Sequence, residues 1–353
     1  MTNKNQGSVL IIGDGLAGTL MAWKCHQRGV KFVQWSDGSP AASDVAAGMF
    51  NPVSFRRILP QWDAANYAET AREMFQAIQQ ELECKLRHNV PVIRVFPNER
   101  YAALWAERIA EEGEVAQFIE ILPRTELHPS LDAPFGAGIV RSAGWVDVRM
   151  LTQKSRLLWQ RLGLWERRSW AMEDGCPVGF STVIDCRGVG VADDLAKFGL
   201  EVSRNHGEVL TIQTELDWGE QTVNNVTWAL PIGSGEYRIG STYRWDMDEP
   251  LVRPETIENL TEQVSTVRKG AALVATDVVS HRAGLRPACF DRRPILGRIS
   301  SKSPWYFVCT GWGTRGVSIG PTMVDWTLDV VSGIRDEVPD EVHPKRFRTF
   351  TKN

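Results

Sequence analysis

The stretch VLIIGDGLAGTLMAWKCHQRGVKFVQWSD, Val9 to Asp37, restricts the fold more than any other part of the chain. Val9, Leu10, Ile11 and Ile12 form an unbroken apolar run, the pattern of a parallel strand covered on both faces. Gly13, Gly15 and Gly18 follow as G-x-G-x-x-G. The first glycine permits a tight turn, the second lets backbone approach a pyrophosphate, and the third lets the next helix pack on the strand. Leu16 and Ala17 open that helix, whose free N–H groups and positive dipole end suit an anion. Gly29 closes it, and KFVQW begins a second strand. The spacing predicts a dinucleotide held by Gly13, Gly15, Leu16, Ala17 and Gly18. An acid ending the second strand would bond the ribose. That position is Ser36, and Asp37 follows it. Asp37 is the expected ribose ligand, with Ser36 as a weaker substitute, unless Asp37 serves only the SDGSP turn.

With 353 residues the chain has room for two domains. After the small-residue stretch ASDVAAGMFNPV comes a helix starting at Asp63, with Tyr67, Ala71, Phe75, Ile78 and Leu82 on one face. A short strand, a helix over Tyr101 to Glu111 and proline-punctuated loops then read as a separate lobe. DVRMLTQKSRLLWQRL returns as a helix, and FSTVIDCRGVG as a buried strand ending in a glycine turn. GEVLTIQTEL, NVTWALPIG and EYRIGSTYRW have the β-formers of an antiparallel sheet. The C-terminal third adds the strand WYFVCTG and a glycine-rich turn leading into a helix near Ser318–Pro321. The expected fold class is α/β: a Rossmann-like domain with a parallel sheet and flanking helices, carrying an inserted α+β lobe on a mostly antiparallel sheet. The division expected is 1–82, 145–205 and 282–353 for the nucleotide domain, and 83–144 and 206–281 for the lobe. Three strand–glycine units far apart in sequence suit a long resident ligand, a flavin, better than a diffusible nicotinamide.

A net charge of −3 provides no surplus to steer the chain to nucleic acid or an anionic membrane. No apolar run approaches the roughly 20 residues of a membrane span, and the polar MTNKNQGS start is unlike a signal peptide. These features point to a cytoplasmic protein. Six cysteines without a C-x-x-C pair and dispersed histidines read as reduced thiols and no metal site. The scattered tryptophans read as core packing.

Four blocks together, IIGDGLAG, AASDVAAGM, AGLRPACFDRRPILG and TGWGTRGVSIGP, resemble the FAD-dependent oxidoreductases of the D-amino-acid oxidase, glycine oxidase and sarcosine oxidase superfamily. The resemblance runs from Val9 to about Gly333. It implies that Gly13, Gly15 and Gly18 hold the FAD pyrophosphate, and that Ala47, Gly48 and Met49 run beside the ribityl chain and flavin. It also implies that Gly188 approaches the adenine side, and that Gly311, Gly313, Thr314, Arg315 and Gly316 reach the isoalloxazine. A helix N-terminus and a cation there would stabilise the charge on a reduced flavin, which gives Arg315 a role unless it is a surface residue.

Arg286 in AGLRP is implied as the substrate-carboxylate anchor, a guanidinium task because its fork binds both oxygens; the alternative is an internal ion pair, for instance with Asp291. Tyr243 in GSTYRWD, expected to end a lobe strand, would add a hydroxyl or else pack at the rim. His281, Arg282 and Trp312 have no assigned place, although Trp312 reads best as packing. Cys289 stands where relatives usually have a threonine, and FAD is expected to bind non-covalently. The implied activity is oxidation of the C–N bond of a small carboxylate-bearing amine or amino acid, with O2 or a quinone-type carrier as acceptor. Two other readings stand beside it: oxidation of a carboxymethylaminomethyl group on a tRNA wobble uridine, which the overall charge does not support, and a flavin-binding subunit without turnover.

Overall fold

Why the opening run is apolar without alternation is evident in the computed structural model, which describes residues 8–214, 218–269 and 277–347. Strand Ser8–Ile12 is third in a six-stranded sheet ordered Trp165–Arg167, Phe32–Ser36, Ser8–Ile12, Phe180–Asp185, Tyr306–Thr310 and Ile295–Arg298. All neighbours are parallel except the last pair. Val9 and Ile11 face one hydrophobic cluster with Trp23, Phe75, Trp159 and Met323. Leu10 and Ile12 face another with Trp35, Val183, Leu195 and Tyr306. Both faces are dry, so neither can carry polar residues.

Helices Leu16–Gln27, Ala64–Leu82, Val148–Arg161 and Gly316–Val331 contribute to the first of these layers. In Ala64–Leu82 the predicted face is buried at Tyr67, Ala71, Phe75 and Ile78. The helix begins where expected, but Asp63 does not cap it: its Oδ1 accepts from Asn66 Nδ2 at 2.6 Å. The last helix starts at Gly316, earlier than the Ser318–Pro321 reading, with Arg315 at its N-cap and Pro321 inside it.

The second body is an eight-stranded sheet, antiparallel apart from the pair Thr222–Asn224 and Val92–Val95. It packs on the helix Glu255–Ser265 through Leu260 and Val264. Its two long strands, Ser203–Gln213 and Val278–Ala288, pair from Ser203↔Ala288 to Ile212↔Val278. They run continuously through positions 205/206 and 281/282, the divisions drawn from sequence, so one rigid ladder carries residues of the lobe up to the nucleotide domain. A small sheet, Met49–Phe50, Gly144–Val146 and Arg87–Asn89, completes the junction. Trp23, Trp105, Trp159 and Trp218 are fully buried, as the scattered tryptophans predict.

Candidate cofactor and substrate site

Gly13 leaves the first strand at φ +95°, where a Cβ would lie 2.9 Å from the Cys186 carbonyl oxygen. A Cβ on Gly18 would lie 2.0 Å from the Gly13 carbonyl oxygen, so the helix touches the loop backbone directly. Gly15 is the N-cap, with no side-chain cap and no acid in the first turn. The Leu16 N–H donates to Ser43 Oγ at 2.8 Å. An oxygen acceptor therefore already faces this helix end, and Ser43 is a residue the sequence reading passed over within ASDVAAGM. The half-buried helix N-terminus, with no acid in its first turn, and the glycine cradle fit a pyrophosphate.

The two candidate ribose ligands at the end of the second strand differ in their surroundings. Asp37 is exposed, and its Oδ1 accepts from Ser39 N at 2.8 Å, closing its own turn. Ser36 is buried and donates to Asp14 Oδ1 at 2.7 Å. The carboxylate beside the end of the second strand is thus Asp14, from within the glycine loop, and its Oδ2 lies 2.7 Å from Arg156 Nε. An acid between the first two glycines was the available signal.

Gly48, at φ +70°, leaves no room for a side chain: a Cβ would be 1.9 Å from the Val146 carbonyl oxygen. It sits between the buried Ala47 and Met49, which pairs with Trp145. Gly188 also has positive φ, and its carbonyl accepts from Thr310 Oγ1 at 2.9 Å. Beside it Arg187 is bound to Asp185 at 2.6 Å and Asp194 at 2.7 Å. Burial works against the Arg187 charge, but the two carboxylates outweigh it and raise its pKa. At the C-terminal turn a Cβ on Gly311 would be 2.7 Å from Cys289 Sγ, and Gly313 N donates to the Pro287 carbonyl at 2.8 Å. Thr314 is exposed. Arg315 is no free surface residue: it donates to the Arg292 carbonyl, and burial pushes its pKa down. Trp312 is buried against Gly316 and Gly320 of the last helix, the packing reading.

Arg286 lies near the end of the long strand Val278–Ala288. Its Nη1 donates to Asn205 Oδ1 at 2.9 Å and to the Thr242 carbonyl at 3.3 Å, and the guanidinium lies 4.7 Å from the Tyr243 ring centroid. Among the described residues Arg286 has no carboxylate partner, whereas Asp291 is held by Arg346 at 2.8 Å. Burial pushes the Arg286 pKa down, and Tyr243 opposes that shift. Tyr243 lies beyond the strand Glu236–Gly240, not at its end, and offers the face of its ring. The guanidinium lies flat over Gly207, where a Cβ would meet Nη1 and Nη2 at 2.1 Å. A glycine inside a strand marks such an approach. Gly207→Ala is expected to leave folding and FAD content intact, since the obstructed atoms belong to a flexible side chain, while displacing Arg286. Steady-state kinetics should show KM raised at least tenfold at an unchanged flavin-to-protein ratio.

Glu208 was also missed, although an acid within the apolar run GEVLTI was a signal. It is fully buried, and its carboxylate accepts from His281 Nε2 at 2.8 Å, Arg253 N at 2.8 Å and Thr256 Oγ1 at 2.9 Å. Its backbone N–H donates to Thr242 Oγ1 at 2.9 Å, and its carbonyl accepts from Thr242 N at 3.3 Å. One residue thus holds both ends of the segment that lays Tyr243 beside Arg286. Hydrogen bonds to a charged group contribute about 1.5–3 kcal/mol each. Glu208→Gln should therefore lower unfolding stability by about 1–3 kcal/mol in a denaturant titration. Arg282, by contrast, is exposed and donates to the Asp44 carbonyl at 3.4 Å.

Residues 8–329 match the family described as DAO, FAD dependent oxidoreductase. The chain belongs to this family of FAD-dependent oxidoreductases. It resembles the crystal structure of glycine oxidase from Bacillus cereus ATCC 14579 at TM-score 0.76 and 19% identity, covering 94% of this chain and 96% of that one. Iminodiacetate oxidase from Chelativorans sp. BNC1 gives TM-score 0.74 at 21% identity, covering 96% and 98%. A tRNA 5-methylaminomethyl-2-thiouridine biosynthesis bifunctional protein MnmC from Legionella pneumophila (strain Corby) is 22% identical over 98% of this chain and 58% of its own length. The chain therefore spans little more than half of that curated relative. Among the described residues no helix is long and apolar enough to cross a membrane.

Proposed function

We propose that this oxidoreductase removes two electrons from the carbon–nitrogen bond of a small amine or amino acid bearing a carboxylate, and that Arg286 anchors that carboxylate. The observation that carries the reading is a largely buried guanidinium with no carboxylate partner among the described residues, held at 2.9 Å by Asn205 and covered by Tyr243. A buried cation is costly unless paired, and a substrate carboxylate would supply the missing charge. Asn205 and the Thr242 carbonyl fix the guanidinium, leaving its remaining N–H donors for two carboxylate oxygens. FAD held by the Gly13, Gly15, Gly18 and Gly48 cradle would supply the two-electron acceptor for this oxidation, whose imine product would be hydrolysed by water. The protein orients the substrate carbon through the anchor, and the Tyr243 ring limits the substrate on one side.

FAD fits the cradle of Gly13, Gly15, Gly18 and Gly48, with Ser43 at the helix N-terminus and the Asp14 carboxylate, bonded by Ser36, within the glycine loop. It is held without a covalent bond. Burial pushes the Cys289 thiol up to about 12, so it is a neutral, unreactive group at ordinary pH. Acid precipitation should leave a white pellet and a yellow supernatant; a pellet retaining the colour would refute this. The reading as a whole is tested by mixing the FAD-loaded protein anaerobically with a panel of amino acids and N-alkyl glycines. Bleaching of the visible flavin band by a carboxylate-bearing amine, but not by the matching decarboxylated amine, supports it; no bleaching by any member overturns it. Reoxidation with O2 or a quinone analogue then identifies the acceptor. The likeness to the Legionella protein of tRNA 5-methylaminomethyl-2-thiouridine biosynthesis favours a second reading, the same bond broken on a modified tRNA uridine. Salt-sensitive retention of tRNA together with bleaching by that tRNA alone would replace the small-molecule reading.

A further inference from the structure

A cavity of about 350 Å³ opens on the same face of the long strand as Arg286, on the far side of the contact between Gly284 and Ala42–Val45. Arg286, Gly284 and Arg282 alternate onto one face, and the register carries that face across the sheet through Arg282↔Val209 and Ser280↔Thr211↔Arg238. Arg282 is therefore about 13 Å along the strand from the anchor. Asp44, Val45 and Ala46, immediately before the Ala47–Met49 stretch, also line the cavity, and Arg149 enters from the first turn of helix Val148–Arg161.

Three guanidiniums thus line one cavity, and among the described residues none of them makes an ion pair. Arg282 donates only to the Asp44 carbonyl at 3.4 Å. Arg238 lies over the buried Trp145 ring, 5.4 Å from its centroid. Of the two carboxylates in the lining, Asp44 is turned back to accept from Ala41 N at 2.9 Å, which leaves Glu236. Burial lowers the Arg238 pKa; Arg282 and Arg149 add to this, while the carboxylates of Asp147 and Glu236 oppose it without reversing it. Like charges have been gathered where one of them is already removed from water, an arrangement that an incoming anion relieves.

We propose that this cavity binds a phosphate-bearing ligand through Arg149, Arg238 and Arg282. Phosphate suits it better than a second carboxylate, because several guanidinium forks converge and phosphate offers acceptor oxygens in several directions. The volume lies at the lower end of small-molecule sites, enough for a phosphate with an attached group. A free phosphate ester and an RNA backbone both present this chemistry, and the test separates them.

The full chain loaded with FAD, so that its pyrophosphate site is filled, is titrated calorimetrically with inorganic pyrophosphate. Saturable, salt-sensitive binding is expected, weakened at least tenfold in the double variant R149Q/R282Q at unchanged flavin absorbance. These side chains are exposed, so the variant should fold. The variant R56Q/R57Q, which removes two exposed arginines outside the cavity, should bind as the parent does. No pyrophosphate binding, equal binding by R149Q/R282Q, or an equal loss in R56Q/R57Q would overturn the proposal. A short single-stranded RNA competing better than pyrophosphate, and losing that advantage in R149Q/R282Q, assigns the phosphate to an RNA backbone. An RNA that competes no better assigns it to a free ester. This result is independent of whether any amine bleaches the flavin.

Discussion

Replacing Arg286 by alanine is expected to raise KM for a carboxylate substrate by about 10²–10³-fold while the FAD content stays at the parent level. Losing one partner of a buried, hydrogen-bonded charge pair costs about 2–5 kcal/mol, roughly 30- to 4,000-fold at 1.4 kcal/mol per factor of ten, which brackets this range. The neighbours of Arg286 are Asn205, Thr242 and Tyr243, on or just beyond strands of the eight-stranded sheet. None is a residue assigned to the cofactor cradle, so flavin should remain. Arg286→Lys keeps the charge but loses the fork and should fall between parent and alanine. Initial rates across a substrate series, with the flavin-to-protein absorbance ratio on the same samples, make the measurement. Parallel loss of FAD and activity would identify Arg286 as structural. An unchanged KM would remove it as the anchor.

Gly18→Ala should produce a largely colourless protein. Here the obstruction is backbone: the added methyl would sit 2.0 Å from the Gly13 carbonyl oxygen and 3.1 Å from Gln34 Nε2, which itself bonds that carbonyl at 2.9 Å. No rotamer relieves it, so the helix must move off the strand and carry its N–H groups away from the pyrophosphate. Overpacking of this kind costs about 1–3 kcal/mol in stability, and the stabilisation that bound cofactor adds by mass action is lost with it. FAD affinity is expected to fall at least tenfold, read by fluorescence titration of the apoprotein, with a lower Tm that added FAD no longer raises to the parent value. Gly113→Ala is the control, because a Cβ there meets nothing within 4 Å. An FAD affinity unchanged in Gly18→Ala would refute the cradle.

Much of the nucleotide half was legible because its determinants are local. Val9 to Gly18 specify strand, turn and helix within ten residues, and both faces of the strand are buried as the unbroken apolar run requires. The amphipathic face of Ala64–Leu82 and the antiparallel sheet of the lobe were readable for the same reason. Where the local reading diverged from the structure, a competing interaction explains it. Asp37 Oδ1 accepts from its own turn, the Asp63 side chain accepts from Asn66, and the last helix extends back to Gly316.

The substrate side was legible only as a resemblance. Arg286 could be named from AGLRP, but its surroundings could not, because Asn205 is 81 residues away and Thr242 is 44. Gly207 and Glu208 carry no motif, and their importance arises from what the fold lays over them. By itself the sequence determined a dinucleotide cradle and an α/β architecture, since short-range backbone sterics and hydrophobic periodicity are written in consecutive residues. Only the tertiary structure decided that Asp14 stands against Ser36 and Arg156 at the end of the second strand, that Arg286 lies over Gly207 with no carboxylate partner among the described residues, and that three further arginines share a cavity. Those arrangements depend on strand register and on contacts between distant segments, which no local pattern encodes.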